Sequence, residues 1–213
     1  MDSFSYCFEI SPLNLFFEQV FYINLDRRID RKLSIEKQLL EFNIQATRIP
    51  AIDGNNYACL EMPKTPRGSV ISHRIIVEYA AHKNLESIFI FEDDAKLSPN
   101  FNTILAKELP LVPKDWDFLF LGSCHEGRLK KRISDHIFLV PQSALCIYGY
   151  GINKKAYDIF IKEVWGYRAA DQTIKEFSAK NKLNTYILFP SLITQIPNKS
   201  DNWPTNGYNN LIE

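Results

Sequence analysis

The sequence predicts an α/β sandwich built on a mixed, mostly parallel sheet. Three observations carry that expectation. Strand-like runs alternate with helix-like segments from residue 20 onward, the pattern that lays helices over the faces of a sheet. The later strands crowd together, which adds an antiparallel part to a parallel start. The 213 residues suffice for one substantial core and at most a small appendage, so the whole chain, 1–213, is read as a single domain.

The elements follow in order. Residues 1–19 are aromatic-rich and irregular, an arm or extra strand on the body. Val20–Leu25 is a β-branched and aromatic run, the first core strand. A helix-like segment runs to about Phe42, with Ile29, Leu33, Leu40 and Phe42 recurring on roughly one face, as in an amphipathic helix. Ala46–Ile52 is a second short strand, closed by the turn residues Asp53-Gly54-Asn55-Asn56. Gly68 opens a helix to about Asn84. The stretch Ile88–Asp94 is an apolar strand that stops at three adjacent acids. Ser98-Pro99 reads as an N-cap followed by Pro at the first helical position. Trp116–Leu121 is another strand, residues 124–135 a polar loop, and His136–Val140 with Ala144–Tyr150 a strand pair. Asn153 caps a helix to about Val164, Ala169–Lys180 is a further helix, Tyr186–Phe189 a late strand, and Gln195–Tyr208 a lid-like tail.

Composition excludes some roles. Lys plus Arg and Asp plus Glu are 25 each, so no basic field marks the chain as a nucleic-acid binder. No apolar run is long enough for a membrane span, and contact with a membrane would be peripheral. The four cysteines, Cys7, Cys59, Cys124 and Cys146, are scattered and read as reduced thiols. With no visible signal peptide, they imply a cytoplasmic setting, with the inner face of a membrane as one option within it. An ER lumen fits only an excised domain.

Four places bear chemistry. Asn24–Arg31 follows a buried strand and begins a helix, where free N–H groups attract anions. Arg27, Arg28 and Arg31 there either receive a diphosphate or pair with Asp26 and Asp30 in a surface network. Ser72 and His73 lie in or near the first turn of a helix, where a neutral His can donate to a ligand hydroxyl or simply be structural. Glu92, Asp93 and Asp94 repel one another unless a cation, water or hydrogen bonds satisfy them. If the strand stays extended, Glu92 and Asp94 share a side. A hard divalent cation and a phosphate-bearing substrate fit this, as does a solvated turn. Asp171 begins a late helix, as a general base, a metal ligand, or an acid complementing the helix dipole.

Taken together, these residues resemble glycosyltransferase family 25, the lipopolysaccharide-biosynthesis and procollagen galactosyltransferase group. Phe21–Arg31 looks like the family's opening strand and Asn-Leu-Asp-Arg-Arg-x-Asp-Arg motif, and Ala51–Gly54 like the short motif after the second strand. Gly68–His73 is similar to Gly-Cys-x-x-Ser-His, with Ser69 for the Cys. Phe91–Asp94 matches the Glu-Asp-Asp signature, Asp117–Gly122 the next strand, and Ala170-Asp171 a late Val-Asp-type motif. Ser200-Asp201 matches loosely. The resemblance implies a GT-A-type single-domain α/β/α sandwich, with residues 20–122 binding a nucleotide sugar and 123–213 the acceptor. It implies transfer of a hexose, usually galactose, from a UDP-sugar to a hydroxyl on a glycan or a hydroxylysine-type protein acceptor, by inversion, with Mn²⁺ or Mg²⁺. On that basis Asn24, Asp26, Arg27, Arg28, Arg31, Ser72, His73, Glu92 and Asp93 line the donor pocket, and Asp94 with Glu92 holds the metal. Asp171 is assigned as catalytic base, with a metal-ligand role equally open. A silent adhesion or scaffold module is the rival reading. A phosphotransferase is disfavoured, because no Gly-rich phosphate loop is present.

Overall fold

The computed structural model describes residues 9–54, 64–122, 131–140, 147–164 and 170–197. The four cysteines, Ser200-Asp201 and most of the polar loop and tail lie outside them.

Ten strands and six α-helices are described. The first half runs α1 (Pro12–Phe16), β1 (Gln19–Asn24), α2 (Ile29–Glu41), β2 (Thr47–Pro50), α3 (Lys64–His82), β3 (Ser87–Glu92), β4 (Ala95–Leu97), α4 (Phe101–Glu108) and β5 (Phe118–Phe120). The second half runs β6 (Lys131–Arg132), β7 (Ile137–Val140), β8 (Gly149–Asn153), α5 (Tyr157–Glu163), α6 (Ala170–Lys180), β9 (Thr185–Leu188) and β10 (Ile193–Gln195). Eight strands form one sheet in the order β2-β1-β3-β8-β5-β9-β7-β6. Strands β1, β2, β3, β5, β9 and β6 run one way; β8 and β7 run the other. The sheet is therefore mixed and mostly parallel, with strands from both halves of the chain interleaved.

Period-two alternation sorts the strand side chains into two cores. Val20, Tyr22, Phe89, Phe91, Leu119, Tyr186 and Leu188 face one layer with Phe17, Ile35, Leu39 and Phe101. Phe21, Ile23, Ile88, Ile90, Phe118, Phe120 and Ile187 face the other, with Ile76, Val77, Phe160, Ile174 and Phe177. Helices on both faces make this an α/β/α sandwich. Strand β8 crosses its centre bearing Gly149 and Gly151. A Cβ on Gly151 would sit 2.3 Å from the Phe17 ring, so the aromatic arm packs onto bare backbone.

Four sequence expectations are corrected. Helix α2 buries Arg31, Ile35 and Leu39, while Ile29, Leu33 and Leu40 are 63%, 62% and 79% exposed. The inward face is the other apolar stripe, because Arg31 must reach the acids after β3. The Ser-Pro signal marks a helix start at Ser11-Pro12, where the Ser11 side chain accepts from Leu13 N. At Ser98-Pro99 it makes a turn instead: the Phe101 N–H donates to Ser98 O, and α4 begins at Phe101. Residues near 137–140 and 149–153 are not partners. β7 lies between β6 and β9, whereas β8 lies between β3 and β5. Finally, Gln195, the first residue of the expected tail, is the last residue of β10, which pairs antiparallel with β4 immediately after the acids. These three-residue strands are too short to show a period in sequence.

Candidate donor site at the end of strand β3

The site lies at the carboxyl ends of the parallel neighbours β1 and β3, where ligands bind in open α/β sheets. Strand pairing ends at Glu92, and Asp93-Asp94 turn before β4, so extended geometry does not persist through the triplet. Each acid consequently meets different surroundings.

Asp93 is buried and fully engaged. Its Oδ1 accepts from Arg31 Nη1 at 3.0 Å and its Oδ2 from Asn24 Nδ2 at 2.7 Å. Burial pushes its carboxyl above the ordinary range, while the Asn24 and Arg31 hydrogen bonds pull the other way. Asp94, 6% exposed, holds Arg31 Nη1 at 3.2 Å and Gln195 Nε2 at 3.0 Å, both on Oδ2. Its carbonyl accepts from Ile196 N at 2.8 Å, which ties β10 to the triplet. Among the described residues its other oxygen, Oδ1, is buried and has no hydrogen-bond partner. Glu92 points to the opposite face: its Oε1 lies 3.4 Å from His73 Nε2, and His73 Nδ1 lies 3.1 Å from the Tyr150 hydroxyl. Burial raises the Glu92 carboxyl well above the usual range, and the charges of Asp94, Asp93 and Asp171 add to this against Arg31. Burial lowers His73 to about 3, so the ring is neutral at physiological pH.

The remaining predicted residues are distributed around this centre. Asn24, at the end of β1, is buried and joins Asp93 to the start of α2 through Arg28 O at 3.1 Å. Arg31 reaches the acids from the first turn of α2. Arg27 lies on Asp53 at 3.1 Å and Arg28 on Asp30 at 2.8 Å, while exposed Asp26 pairs with Arg48. Ser72 does not join the cluster. Its hydroxyl donates to Gly68 O at 2.7 Å and accepts from Ile52 N at 2.9 Å, clamping α3 to the segment after β2. A Cβ on Gly68 would meet Ile52 O at 2.2 Å, so glycine permits this close approach. Asp171, at the start of α6, is near enough for its charge to act on Glu92. Three contributors were not found from sequence: Arg48 on β2, Gln195 on β10 and Tyr150 on β8. None stands in a motif, and each acquires its role from a partner distant in sequence.

The donor set suits a hard cation that shares its ligands with a substrate. Among the described residues, no group of three His, Cys, Asp or Glu side chains is arranged to hold a metal ion. Magnesium-like sites need only one or two carboxylates when phosphates and water complete them. Asp94 Oδ1 is the acid oxygen placed to contribute. Asp93 is engaged by Arg31 and Asn24, and Glu92 faces His73.

The fold is that of the GT-A-type glycosyltransferases. A glycosyltransferase involved in the glycosylation of the major capsid of PBCV-1 superposes with a TM-score of 0.55 at 12% identity, over 85% of this chain and 93% of that one. The model for "Glycosyltransferase family 25 (LPS biosynthesis protein)" matches residues 55–208, and the chain belongs to that family. The opening motif at Phe21–Arg31 lies before the matched segment. Among curated relatives, the probable inactive glycosyltransferase 25 family member 3 of Rattus norvegicus is 26% identical over 171 residues, 70% of this chain and 29% of that protein. Procollagen galactosyltransferase 2 of Mus musculus is 24% identical over 134 residues, 52% and 21% of the two chains. A glycosyltransferase 25 family member of Aedes aegypti is 22% identical over 203 residues, 85% and 32%. The chain thus spans under a third of these relatives.

Proposed function

We propose that this chain transfers a hexose, galactose first among the candidates, from a UDP-sugar to an acceptor hydroxyl, with Mn²⁺ or Mg²⁺ bound through Asp94. The observation that carries the proposal is the buried, unpartnered Asp94 Oδ1 at the end of β3, beside the Arg31–Asp93 pair. A cation there would neutralise charge on the diphosphate as UDP leaves. Arg31 and Asn24 hold Asp93 and Asp94 in fixed orientations. Asp171 is the proposed base for the acceptor hydroxyl in a single inverting displacement. Glu92, held by His73, is the alternative ligand on the far side of the triplet. The galactose assignment draws on the procollagen galactosyltransferase relatives. The acceptor is a glycan or a hydroxylysine-type protein.

A panel of nucleotide sugars with Mn²⁺, read by UDP release against glycan and hydroxylysine peptide acceptors, tests the assignment. Asp94→Asn should lower turnover by at least about a hundredfold while leaving Tm within a few degrees. An Asp94→Asn protein as active as the parent would remove the metal assignment. A second reading, a catalytically silent module, is favoured by the relatives named inactive. Absence of UDP binding by calorimetry with Mn²⁺ would select it.

A further inference from the structure

We infer that Arg48 is a positioning residue for the donor site, acting through the side-chain amide of Asn24 rather than on any ligand. The inference rests on the reading of the Asp93–Asp94 pair as the donor end of the cleft. Arg48 sits on the edge strand β2, in register with Tyr22 of β1. Its side chain runs along the sheet end to Asn24. Nε and Nη2 lie 3.2 and 3.0 Å from Asn24 Oδ1, and Nη2 lies 3.2 Å from Asn24 O. The exposed Asp26 carboxylate pairs with the same Nη2.

The chemistry of the groups fixes the direction of the chain. A guanidinium only donates and an ionised carboxylate only accepts. A carboxamide between them has one satisfied orientation, oxygen toward Arg48 and nitrogen toward Asp93. Asn24 adopts it, and its two N–H bonds go to Asp93 Oδ2 at 2.7 Å and Arg28 O at 3.1 Å. A flipped amide would set its oxygen against Asp93 and its NH₂ against the guanidinium. The side chain is buried, so water cannot repair either clash. Arg48 thereby locks a group that orients Asp93 and the start of α2, and α2 carries Arg31 to both acids. None of the hydrogen bonds or ion pairs described for Arg48 goes to Asp93 or Asp94.

Two measurements test this. In ¹⁵N-labelled protein, the Asn24 carboxamide pair, identified by its loss in Asn24→Ala, should resist exchange with water. Arg48→Met should abolish that protection, and retained protection would overturn the inference whether or not any donor binds. In calorimetry with UDP and Mn²⁺, Arg48→Met should weaken UDP binding about tenfold, the scale of losing charge-assisted hydrogen bonds. Asn24→Ala should do the same, and the double variant should lose less than about twofold beyond Asn24→Ala alone. Losses that multiply to about a hundredfold in the double variant would show that Arg48 acts independently of Asn24 and would sink the idea. Arg48→Lys, a point donor in place of a fork, should keep the protected pair and lose about threefold. Failure of the parent to bind UDP would remove the donor-site reading, and the exchange measurement would still decide the role of Arg48.

Discussion

Arg31→Met is the perturbation that most directly tests the electrostatic reading of the site. Arg31 Nη1 lies 3.0 Å from Asp93 and 3.2 Å from Asp94, and all three side chains are about nine-tenths buried. Methionine keeps most of the aliphatic stem and removes the charge. Two neighbouring carboxylates are then left buried with only the Asn24 and Gln195 amides as donors. Breaking a buried ion cluster by removing one partner costs about 3–5 kcal/mol. For a chain of this size each kcal/mol shifts Tm by about 2–4 °C, so a fall of roughly 6–20 °C is expected near neutral pH.

The deficit should depend on pH with a definite sign. In the parent, burial already raises the Asp93 carboxyl above its ordinary value, and Arg31 opposes the rise. Without Arg31 the folded carboxyl moves further up. A group raised on folding contributes stability below its unfolded value, about 4, and loses it as pH climbs through the folded value. Arg31→Met should therefore approach the parent near pH 4 and fall behind as pH increases. Adding Asp93→Asn should recover at least half of the loss at about pH 8, because only one carboxylate then remains. Thermal melts across that range decide the matter. A deficit independent of pH would mean that Arg31 contributes through packing of its stem, and no deficit would mean that the acids are solvated.

Three other outcomes follow from particular contacts. Glu92→Gln should gain stability over the parent as pH rises from about 4 to 8 in denaturant titrations, since the raised Glu92 carboxyl works against folding once it ionises. Leu40→Lys should change stability by less than about 0.5 kcal/mol, whereas Ile35→Ala on the opposite face of α2 should cost about 2–5 kcal/mol; the reverse order would restore the helix face expected from sequence. Gly151→Ala should lower stability by about 1–3 kcal/mol through overpacking against Phe17, recoverable in part by Phe17→Leu.

What the sequence shows and what it hides divide on physical lines. Strands β1 and β3 are legible because both sheet faces are buried, which makes nearly every residue of the run apolar. The same burial makes their polar ends conspicuous, so Asn24 and Glu92–Asp94 stand out at once. Helix α2 is legible as a helix but not in its rotation. Ile29, Leu33 and Leu40 recur at helical spacing as well as Ile35 and Leu39 do. The contest is settled by Arg31, whose partners lie more than 60 residues away. The same limit hides Arg48 and Gln195. An arginine on a four-residue edge strand and a glutamine at the start of a tail carry no local pattern. Their contacts, 24 and 101 residues distant, exist only once β2 flanks β1 and β10 pairs with β4.

The adjacent acids also answer the question their repulsion raises. Three carboxylates in succession cannot share one solution, and the chain gives them three. Ending β3 at Glu92 turns that side chain toward His73, whose neutral ring can donate a hydrogen bond without adding a positive charge. Turning at Asp93 brings it against Arg31 and the Asn24 amide, where both oxygens are satisfied. Asp94 receives two donors on one oxygen and none on the other among the described residues. A purely structural turn has no physical reason to bury an unsatisfied carboxylate oxygen, which costs about 1–3 kcal/mol or more. The proposed role of Asp94 as ligand to an external cation or donor group supplies one. The asymmetry within Asp94, more than the count of acids, is therefore what favours a ligand site over a capped turn.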